Sequence, residues 1–383
     1  MSELYLGLMS GTSMDGLDLA LVAINDPFQA ELLHFDHLGY DHQTSRDLVA
    51  WVQKGEVSLA QWVALNHALG DFFARGVNRF LKKLGVAKQD VKAIGMHGVT
   101  VWHGPEPVDT PLGPGVGTLQ LGDPHLVAVR TGIPVVFDFR HADMALGGQG
   151  APLAPFIDHH YFRSADTGRV LLNLGGIANM TFLPAGSQGI LAFDSGPSNM
   201  IMDNLMRDHL SHPQSFDPEG QFAAQGKVIP ELLQRCLAHS YFSRKPPKST
   251  GRELFGQEFT DLFLQWKHED YNDLLATAAM FTAQTVADAI HNIHMPPHDA
   301  AHFKELIVSG GGPHNHTLMR LLAEKLPEMT ITKASQHGIH EDAKEAVLMA
   351  ALAWAHERRI PGNFPSVTGA SEPIVLGARI EVN

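Results

Sequence analysis

The sequence of 383 residues contains very little cysteine, since Cys236 is the single one. One cysteine cannot form an internal disulfide, so the chain is expected to act in a reducing compartment, the cytoplasm. Basic residues are also scarce: 28 Lys and Arg stand against 41 Asp and Glu, and the formal net charge is −13. Because nucleic-acid binding depends on Lys and Arg contacts to phosphates, this balance argues against a nucleic-acid partner.

Signals for membranes and for a histidine metal site are missing as well. No uninterrupted apolar run reaches the length of roughly 18 residues that a membrane-spanning helix needs. The N-terminal segment Met1–Gly11 has no basic region and no long apolar core, so no signal peptide is expected. The 23 histidines include no H-E-x-x-H motif. Hydrophobic residues at 44% and charged residues at 18% are typical of a globular protein, and the length allows two domains.

One pattern, two apolar runs joined by a glycine-containing turn, occurs twice in the sequence. Leu6–Asp18 joins an apolar run to a second one through a turn rich in glycine and small hydroxyls, and Arg169–Leu183 repeats the pattern around Gly175 and Gly176. Apolar runs bounded by glycines indicate strands. In each half, further strands alternate with helices. The sequence therefore predicts two α/β domains of duplicated architecture, whose mixed sheets have helices on both faces and bind ligands at the carboxyl ends of strands.

Several single elements follow from periodicity. Apolar residues at helical spacing predict a long helix at Leu59–Leu84 and a helix at Asp342–Arg358. Ile190–Phe193 is predicted to be a strand that ends at Asp194. Pro105–Gly117 contains four prolines and three glycines, which predicts a surface loop.

The glycine turns indicate phosphate binding. Gly11 and Gly16 have the spacing of a P-loop, but Leu17 and Asp18 follow where Lys and Ser/Thr should stand. Glycines let backbone N–H groups approach phosphate oxygens, and two such turns at matched positions are stronger evidence than one. Gly310–Gly312, between a strand and a helix, is suited to close approach by a flat ring, and is equally compatible with a tight strand–helix turn.

Carboxylates accompany these turns. Asp15 and Asp18 would repel phosphates unless a divalent ion lies between them, held partly through water as Mg²⁺ prefers; an Asx turn and a salt bridge are their alternative roles. Asp194, expected at the carboxyl end of a strand, is placed as a catalytic base is, and a helix N-cap is its alternative role. Glu345, early in the last long helix, is a further candidate, with simple solvation as the alternative.

Taken together, these motifs resemble the anhydro-N-acetylmuramic acid kinase family. The resemblance runs in order along nearly the whole chain, through LGLMSGTSMDGLD (6–18), Ile94–Gly95, His97–Gly98, Thr100, Asp138–Arg140, ALGGQGAPL (145–153), Leu172–Asn179, Asp194, Gly196–Pro197, Asn199, PKSTGRE (247–253), Gly310–Gly312 and PGNFPSVTGAS (361–371). It implies two actin-like (ribonuclease H-like) domains, each with a mixed five-stranded sheet, and ATP in the cleft between them. The domains are expected at residues 1–140 and 141–364, with the tail of about 365–383 packed on the first.

The implied activity is that of a kinase, a phosphotransferase with an alcohol acceptor, that uses ATP and Mg²⁺ in peptidoglycan recycling. Water attacks the anomeric carbon of 1,6-anhydro-N-acetylmuramic acid and opens its ring, while the freed 6-oxygen takes the γ-phosphoryl group, giving N-acetylmuramic acid 6-phosphate. By this resemblance Asp194 takes a proton from the water, with Glu345 as the second candidate, and Thr100 and Arg140 lie near the sugar. The residues implied in ATP binding are Gly11, Thr12, Ser13, Met14, Asp15, Gly16, Leu17, Asp18, Gly175, Gly176, Asn179, Gly310, Gly311 and Gly312, with Asp15 and Asp18 holding Mg²⁺ through water.

Two other functions are compatible with the same fold. One is an ordinary sugar kinase that acts on a free hydroxyl, and the other is a nucleotide-gated sugar sensor without chemistry. The expected partners are a small sugar and ATP, with no membrane, and a homodimer is expected from the resemblance alone. The chain departs from the family pattern at Val99, where glutamine is usual, at His141 and Ala142, where a pair of arginines follows Arg140, and at Ser198, where glycine is usual. These departures concern sugar recognition and not the core chemistry.

Overall fold

The chain folds into two compact units in a computed structural model. The described residues are 2–11, 14–54, 57–187, 189–209, 216–246, 248–295, 298–299, 302–340 and 342–382. One unit comprises Met1–Tyr161 and Ala343–Asn383, and the other comprises Phe162–Asp342. These limits differ from the sequence-based boundaries at 140/141 and 364/365. The later limit falls before residue 343 because the helix Lys344–Glu357 packs on the sheet of the first unit. In the part of the chain that is described, no helix is both long and apolar enough to cross a membrane.

The first unit contains a mixed β-sheet. Its strands are β1 (Glu3–Ser10), β2 (Gly16–Asn25), β3 (Gln29–Gly39), β4 (Val91–Thr110), β5 (Gly113–Leu121), β6 (Val135–Phe137) and β14 (Ala378–Ile380). β1, β2 and β3 form an antiparallel meander, β4 runs parallel to β1, and β6 runs parallel to β4. The order β3-β2-β1-β4-β6 is extended by β14 at the β6 edge, and β5 pairs with β4.

The second unit repeats this topology. Its sheet consists of β7 (Gly168–Leu174), β8 (Ile177–Leu183), β9 (Leu191–Pro197), β12 (Phe303–Ser309) and β13 (Thr330–Lys333). Apart from this sheet, β10 (His294–Met295) pairs antiparallel with β11 (His298–Asp299). β7 to β9 form the meander, β12 is parallel to β7, and β13 is parallel to β12. The predicted duplication of mixed sheets is confirmed. Five strands form the second sheet, whereas the first has seven, because a hairpin strand and the C-terminal strand join the same five-stranded core.

The helices lie between these strands in sequence. They are α1 (His42–Lys54), α2 (Leu59–Leu84), α3 (Pro124–Thr131), α4 (His141–Ala145), α5 (Pro155–Phe162), α6 (Asn199–His209), α7 (Gln221–Gln225), α8 (Pro230–Leu237), α9 (Arg252–Phe255), α10 (Gln257–Leu264), α11 (Tyr271–His291), α12 (His316–Lys325), α13 (Lys344–Glu357) and α14 (Pro365–Thr368). The predicted bounds of α2 are confirmed: a Ser58 capping box begins the helix, and Gly85 ends it in the left-handed conformation.

Glycines allow α13 to pack directly on the first sheet. A Cβ atom on Gly7 would overlap the carbonyl oxygen of Ala346, and Gly95 on the neighbouring strand meets the next turn of α13 in the same way. Leu6 points to the opposite face, where it belongs to the same apolar cluster as Phe73 of α2. The first sheet therefore has a helix on each face, and α13 is held close to the strands.

The prediction of a surface loop at 105–117 is wrong. β4 and β5 continue through most of this segment as a hairpin, with Val108 opposite Gly115. The register shifts between Gly104 and Val108, so Pro105 and Pro107 lie in an irregular part of the ladder where a missing N–H costs no regular pairing. Exposure was predicted correctly, since Leu112 at the hairpin tip is fully exposed.

Candidate functional site

The turn between β1 and β2 contains the first group of predicted ATP-binding residues. Thr12 and Ser13 lie outside the described residues. The Met14 N–H donates a hydrogen bond of 3.1 Å to the Gly11 carbonyl, which closes the turn. A Cβ atom on Gly16 would lie 2.5 Å from a backbone oxygen of β3, so the close pairing of β2 with β3 requires glycine here.

Two of the predicted ATP-binding residues, Met14 and Leu17, have side chains in the core of the first unit, and so does Val99. Met14 and Leu17 are almost fully buried in the apolar cluster of this unit, so any contact that they make with ATP would come from their backbone. Val99 belongs to the same cluster. The departure from glutamine at position 99 therefore places an apolar side chain in the core.

The two aspartates of the first turn have different surroundings. Asp18 on β2 is opposite His37 on β3, and its Oδ1 lies 2.7 Å from the His37 Nδ1. Asp15 is exposed, and its backbone carbonyl accepts a hydrogen bond of 2.8 Å from the Tyr40 N–H. Burial, with a smaller effect of the Asp15 charge, raises the pKa of Tyr40 to about 12. Among the described side chains, no three of His, Cys, Asp and Glu come together as a metal-binding group.

Arg140 is held by a neutral histidine and a backbone carbonyl. Its Nε and Nη2 donate to the His97 Nε2 at 3.1 and 2.8 Å, and its Nη1 donates to the Gly150 carbonyl at 2.7 Å. Because Nε2 accepts, the proton of His97 is on Nδ1, which donates to the Gly98 carbonyl at 2.9 Å. Burial, followed by the Arg140 charge, lowers the pKa of His97 to about 3. Burial also lowers the pKa of Arg140 to about 10, which leaves it charged at neutral pH.

A buried carboxylate ties the Gly150 loop to the C-terminal segment. Asp143 accepts hydrogen bonds from the Gly150 N–H at 2.8 Å, from the Asn363 Nδ2 at 2.7 Å and from the Thr368 Oγ1 at 2.7 Å. Two sequence motifs, 145–153 and 361–371, therefore meet at one side chain. Sequence reasoning assigned no role to Asp143 or to His97, although Asp143 lies just before one motif and His97 lies within another.

Glu345 lies in the first turn of α13. Solvent reaches its side chain, yet the protein around it hinders hydration of the charged form and raises the pKa of its carboxyl. The Asp18 charge raises this pKa further, while Lys344 and Arg140 lower it. The helix start is anchored by an ion pair of 2.6 Å between the Lys344 Nζ and the Asp158 Oδ1. The charges of Asp18 and Arg140 thus both act on the Glu345 carboxyl.

Thr100 is on β4, directly opposite Gln120 of β5. The Gln120 Nε2 donates to the Thr100 Oγ1 at 3.5 Å and, more closely, to the Thr118 Oγ1 at 2.6 Å. The first unit thus contains both residues that the resemblance implies in sugar binding, Thr100 and Arg140, together with Glu345.

In the second unit, Asp194 lies inside β9 and not at its end, so the prediction that the strand ends there is wrong. β9 continues to Pro197 because β8 pairs along it, with Ser195 as an extra residue opposite β8. The Asn179 Nδ2 donates to the Asp194 Oδ1 at 2.7 Å, and the Thr250 N–H donates to Oδ2 at 2.8 Å. Asp194 is 8% exposed, so both carboxylate oxygens are oriented by N–H donors in a nearly buried position.

Tyr241 and Lys248 support the backbone of Asp194. The Tyr241 hydroxyl donates to the Asp194 carbonyl at 2.8 Å, and the Asp194 N–H donates to the Lys248 carbonyl at 3.2 Å. The Lys248 ammonium lies 4.8 Å from the centre of the Tyr241 ring. Lys248 belongs to a motif of the resemblance, whereas Tyr241 was not identified from the sequence.

The turn Gly175–Gly176 rests on the start of α6. The Asn199 N–H donates to the Gly175 carbonyl at 3.1 Å, and the Ser198 N–H donates to the Gly176 carbonyl at 2.9 Å. A Cβ atom added to Gly175 would have no neighbour closer than 4.0 Å. The turn is therefore fixed from one side and open at Gly175, as an approach by phosphate requires.

The glycines after β12 form a second open point in the same unit. Gly310 has a φ of +82°, and a Cβ atom on Gly312 would overlap the side chain of Leu174. Around Gly311 the nearest neighbour of an added Cβ would be the Asn199 Nδ2 at 3.6 Å. Asn199 thus adjoins both open glycines, Gly175 and Gly311, which agrees with the predicted close approach of a ligand.

The repeated order of strands, with a glycine turn after the first strand of each unit, defines an actin-like protein of two duplicated units. Within that class, the family model described as anhydro-N-acetylmuramic acid kinase matches residues 3–381. The chain belongs to this family.

Individual relatives agree with this assignment. The chain is 41% identical to the anhydro-N-acetylmuramic acid kinase of Shewanella putrefaciens, with 98% of each chain covered. It is 42% identical to that of Salinibacter ruber, with 97% of this chain and 94% of the relative covered. Among solved structures it is similar to the activator of the 2-hydroxyisocaproyl-CoA dehydratase from Clostridium difficile, at 12% identity, a TM-score of 0.44 and coverage of 94% and 96%. That structural similarity is too weak to bear on function.

Proposed function

We propose that this chain is an ATP-dependent kinase that opens 1,6-anhydro-N-acetylmuramic acid with water and phosphorylates it to N-acetylmuramic acid 6-phosphate. It would do so in the cytoplasm, in the recycling of peptidoglycan. Family membership supports the substrates. The observation that carries the chemistry is the nearly buried carboxylate of Asp194, whose two oxygens are each bound by an N–H group.

In the proposed reaction, Asp194 takes a proton from the attacking water. The new bond joins the water oxygen to the anomeric carbon, and the bond from that carbon to the 6-oxygen breaks. The 6-oxygen then takes the γ-phosphoryl group and ADP is released. Hydrogen bonds from Asn179 and Thr250 favour the ionised carboxylate and fix its direction, as a general base requires. Displacement of the bridging 6-oxygen by an activated water corresponds to single-displacement glycoside hydrolysis.

The first unit would bind the sugar. The Arg140 Nη1 and Nη2 each use one of the two hydrogen bonds that they can donate within the described chain, so the lactyl carboxylate can accept the others. His97 holds the guanidinium in place because it is a neutral acceptor. Thr100 would contact the sugar, and Glu345 is the second candidate for the water.

ATP would be bound by backbone groups of both glycine turns and of Gly310–Gly312. The open space at Gly175 and Gly311 supports this proposal. The amide of Asn179, a predicted ATP contact, is bonded to Asp194, which supports a positioning role for it. The carboxylates of Asp15 and Asp18 fit a water-mediated Mg²⁺, which prefers oxygen ligands and retains much of its water. When bound, the ion would neutralise phosphate charge.

The test is turnover of the anhydro sugar with ATP in water labelled with heavy oxygen. The proposal requires a ring-opened 6-phosphate that carries the label at the anomeric carbon, with unlabelled product incubated in the same water as the exchange control. A phosphorylated product with an intact anhydro ring would instead identify an ordinary sugar kinase. Binding of both ligands without any product would identify a sensor, and either result overturns the proposal.

A further inference from the structure

The second unit contains a cavity that no step of the proposed reaction uses. Its volume is about 630 Å³, which is within the range of small-molecule sites. It lies beside β9 and the C-terminal end of α11, and we refer to it as the β9 cavity. Its apolar lining includes Leu191, Phe193, Leu237, Phe242, Ala289 and Ile293.

Three cations also line the β9 cavity: Arg244, Lys245 and Lys248. None of them forms an ion pair with a carboxylate of the described residues. One acid, Asp288, is present in the lining, and its Oδ1 accepts a hydrogen bond of 2.7 Å from the Gln284 Nε2. An excess of positive charge at an apolar cavity is unusual in a chain whose formal net charge is −13.

The position of Lys248 in the lining disfavours its charged form. Partial burial lowers the pKa of Lys248, and the Arg244 charge lowers it further, against an opposite effect of Asp194. An anion in the cavity would relieve the repulsion between Lys248 and Arg244. The apolar walls would at the same time cover a hydrophobic body, so the lining matches a molecule that has both parts.

The cavity is connected to the predicted base. The Lys248 carbonyl accepts the Asp194 N–H, and two residues further on the Thr250 N–H holds the Asp194 Oδ2. Ser195, the residue after Asp194, lines the cavity itself. An occupant that fixes Lys248 would therefore order the segment that orients the Asp194 carboxylate.

We propose that the β9 cavity binds an organic anion with a compact apolar body and that its occupant orders the segment Lys248–Thr250. The binding stands independently of the proposed kinase activity. Any effect on turnover through Asp194 rests on that activity, so the tests below use binding and amide exchange alone.

The first test compares two fluorescent probes on the full chain. Anilinonaphthalene sulfonate has an aromatic body and a negative charge, and phenylnaphthylamine has the same kind of body without the charge. The variant Arg244→Ala/Lys245→Ala is expected to weaken binding of the sulfonate about tenfold and that of the neutral probe less than about twofold, since each exposed cation contributes modestly. Lys267→Ala/Lys304→Ala is the matched control, because it removes two exposed cations elsewhere in the unit.

Two outcomes of this comparison would overturn the binding site. One is an equal loss of sulfonate affinity in the cavity variant and in the control, which would indicate general electrostatics. The other is an equal loss for both probes in the cavity variant, which would indicate a hydrophobic surface without anion recognition. A cavity-filling change, Ala289→Trp, is expected to abolish the binding of both probes. Undiminished binding in a folded Ala289→Trp variant would likewise contradict the site.

The second test measures amide hydrogen exchange of peptides that cover residues 248–251. At a sulfonate concentration that occupies most of the parent chain but little of Arg244→Ala/Lys245→Ala, the probe is expected to slow their exchange several-fold in the parent chain and much less in the variant. Unchanged exchange despite bound probe would overturn the connection to Asp194. Failure of the kinase proposal would appear separately, as absent turnover with the probe experiments unaffected.

Discussion

In the first unit Asp18, the third residue of β2, faces His37 on β3; in the second unit Asn179, the third residue of β8, faces Asp194 on β9. The two meanders thus place a hydrogen-bonded polar pair at the same point. The carboxylate is on the second strand in one unit and on the third strand in the other. The two units therefore share the position of the pair and differ in the residue types that form it.

The surroundings of the two carboxylates differ accordingly. The Asp18 side chain is 26% exposed beside a half-exposed histidine, whereas Asp194 is 8% exposed and bonded through both oxygens. An accessible carboxylate suits an ion that keeps its water, and an enclosed, oriented one suits proton transfer. The comparison agrees with the two proposed roles, which differ in the strand that carries the acid.

The largest expected effect is that of Asp194→Asn. The amide has nearly the same shape but cannot take a proton, so kcat should fall by at least about 10³-fold. Steady-state turnover of the anhydro sugar measures this loss, with the circular dichroism spectrum as the check on folding. If the variant retained more than about a tenth of the activity, Asp194 would not be the base. The proposed difference in role between Asp194 and Asp18 would then be wrong.

Glu345→Gln should reduce kcat/KM by roughly 10 to 100-fold if Glu345 assists the water. The pKa of the Glu345 carboxyl is raised above the usual 4.5, so the group is mostly ionised only when the pH exceeds this raised pKa. The parent rate should therefore decline as pH falls through the raised pKa, and the variant should lack this decline. A pH profile that is identical in both proteins would show that Glu345 does not contribute to the reaction.

Asn179→Ala tests the pair in the second unit. Loss of a hydrogen bond to a charged acceptor is expected to lower kcat about tenfold, with less than about a threefold change in the KM for ATP. The two constants are measured under saturating sugar. The reverse pattern, a raised KM with normal kcat, would favour the original assignment of Asn179 to ATP binding over a positioning role.

The smallest effects are expected for the pair in the first unit. Asp18→Asn should raise the Mg²⁺ concentration for half-maximal rate about tenfold, since a charged ligand is lost. His37→Gln should change it by less than about threefold, because this contact is partly exposed. Titrations of turnover with Mg²⁺ measure both. If Asp18→Asn leaves the Mg²⁺ requirement unchanged, the ion is held elsewhere.

Much of the fold was predictable because its signals are local. The apolar period and the Gly85 stop define α2. Both ends of α13, the last long helix, lie within two residues of the bounds predicted at 342 and 358. The glycine turns at 11–16 and 175–176 correctly predicted the positions of the two meanders. Asp194 was singled out from its expected position at the end of a strand and Arg140 through the family resemblance, and the roles of both stay predictions.

Tertiary structure decided what local patterns do not contain. β9 extends past Asp194 because β8 provides partners for its backbone, and the 105–117 segment is a hairpin because β5 pairs with β4. The support of Arg140 by His97 spans 43 residues, and that of Asn363 by Asp143 spans 220. By itself the sequence determined periodicity, turns and charge, since these depend on neighbouring residues. Strand pairing and buried hydrogen bonds join distant residues, so only the folded chain decides them.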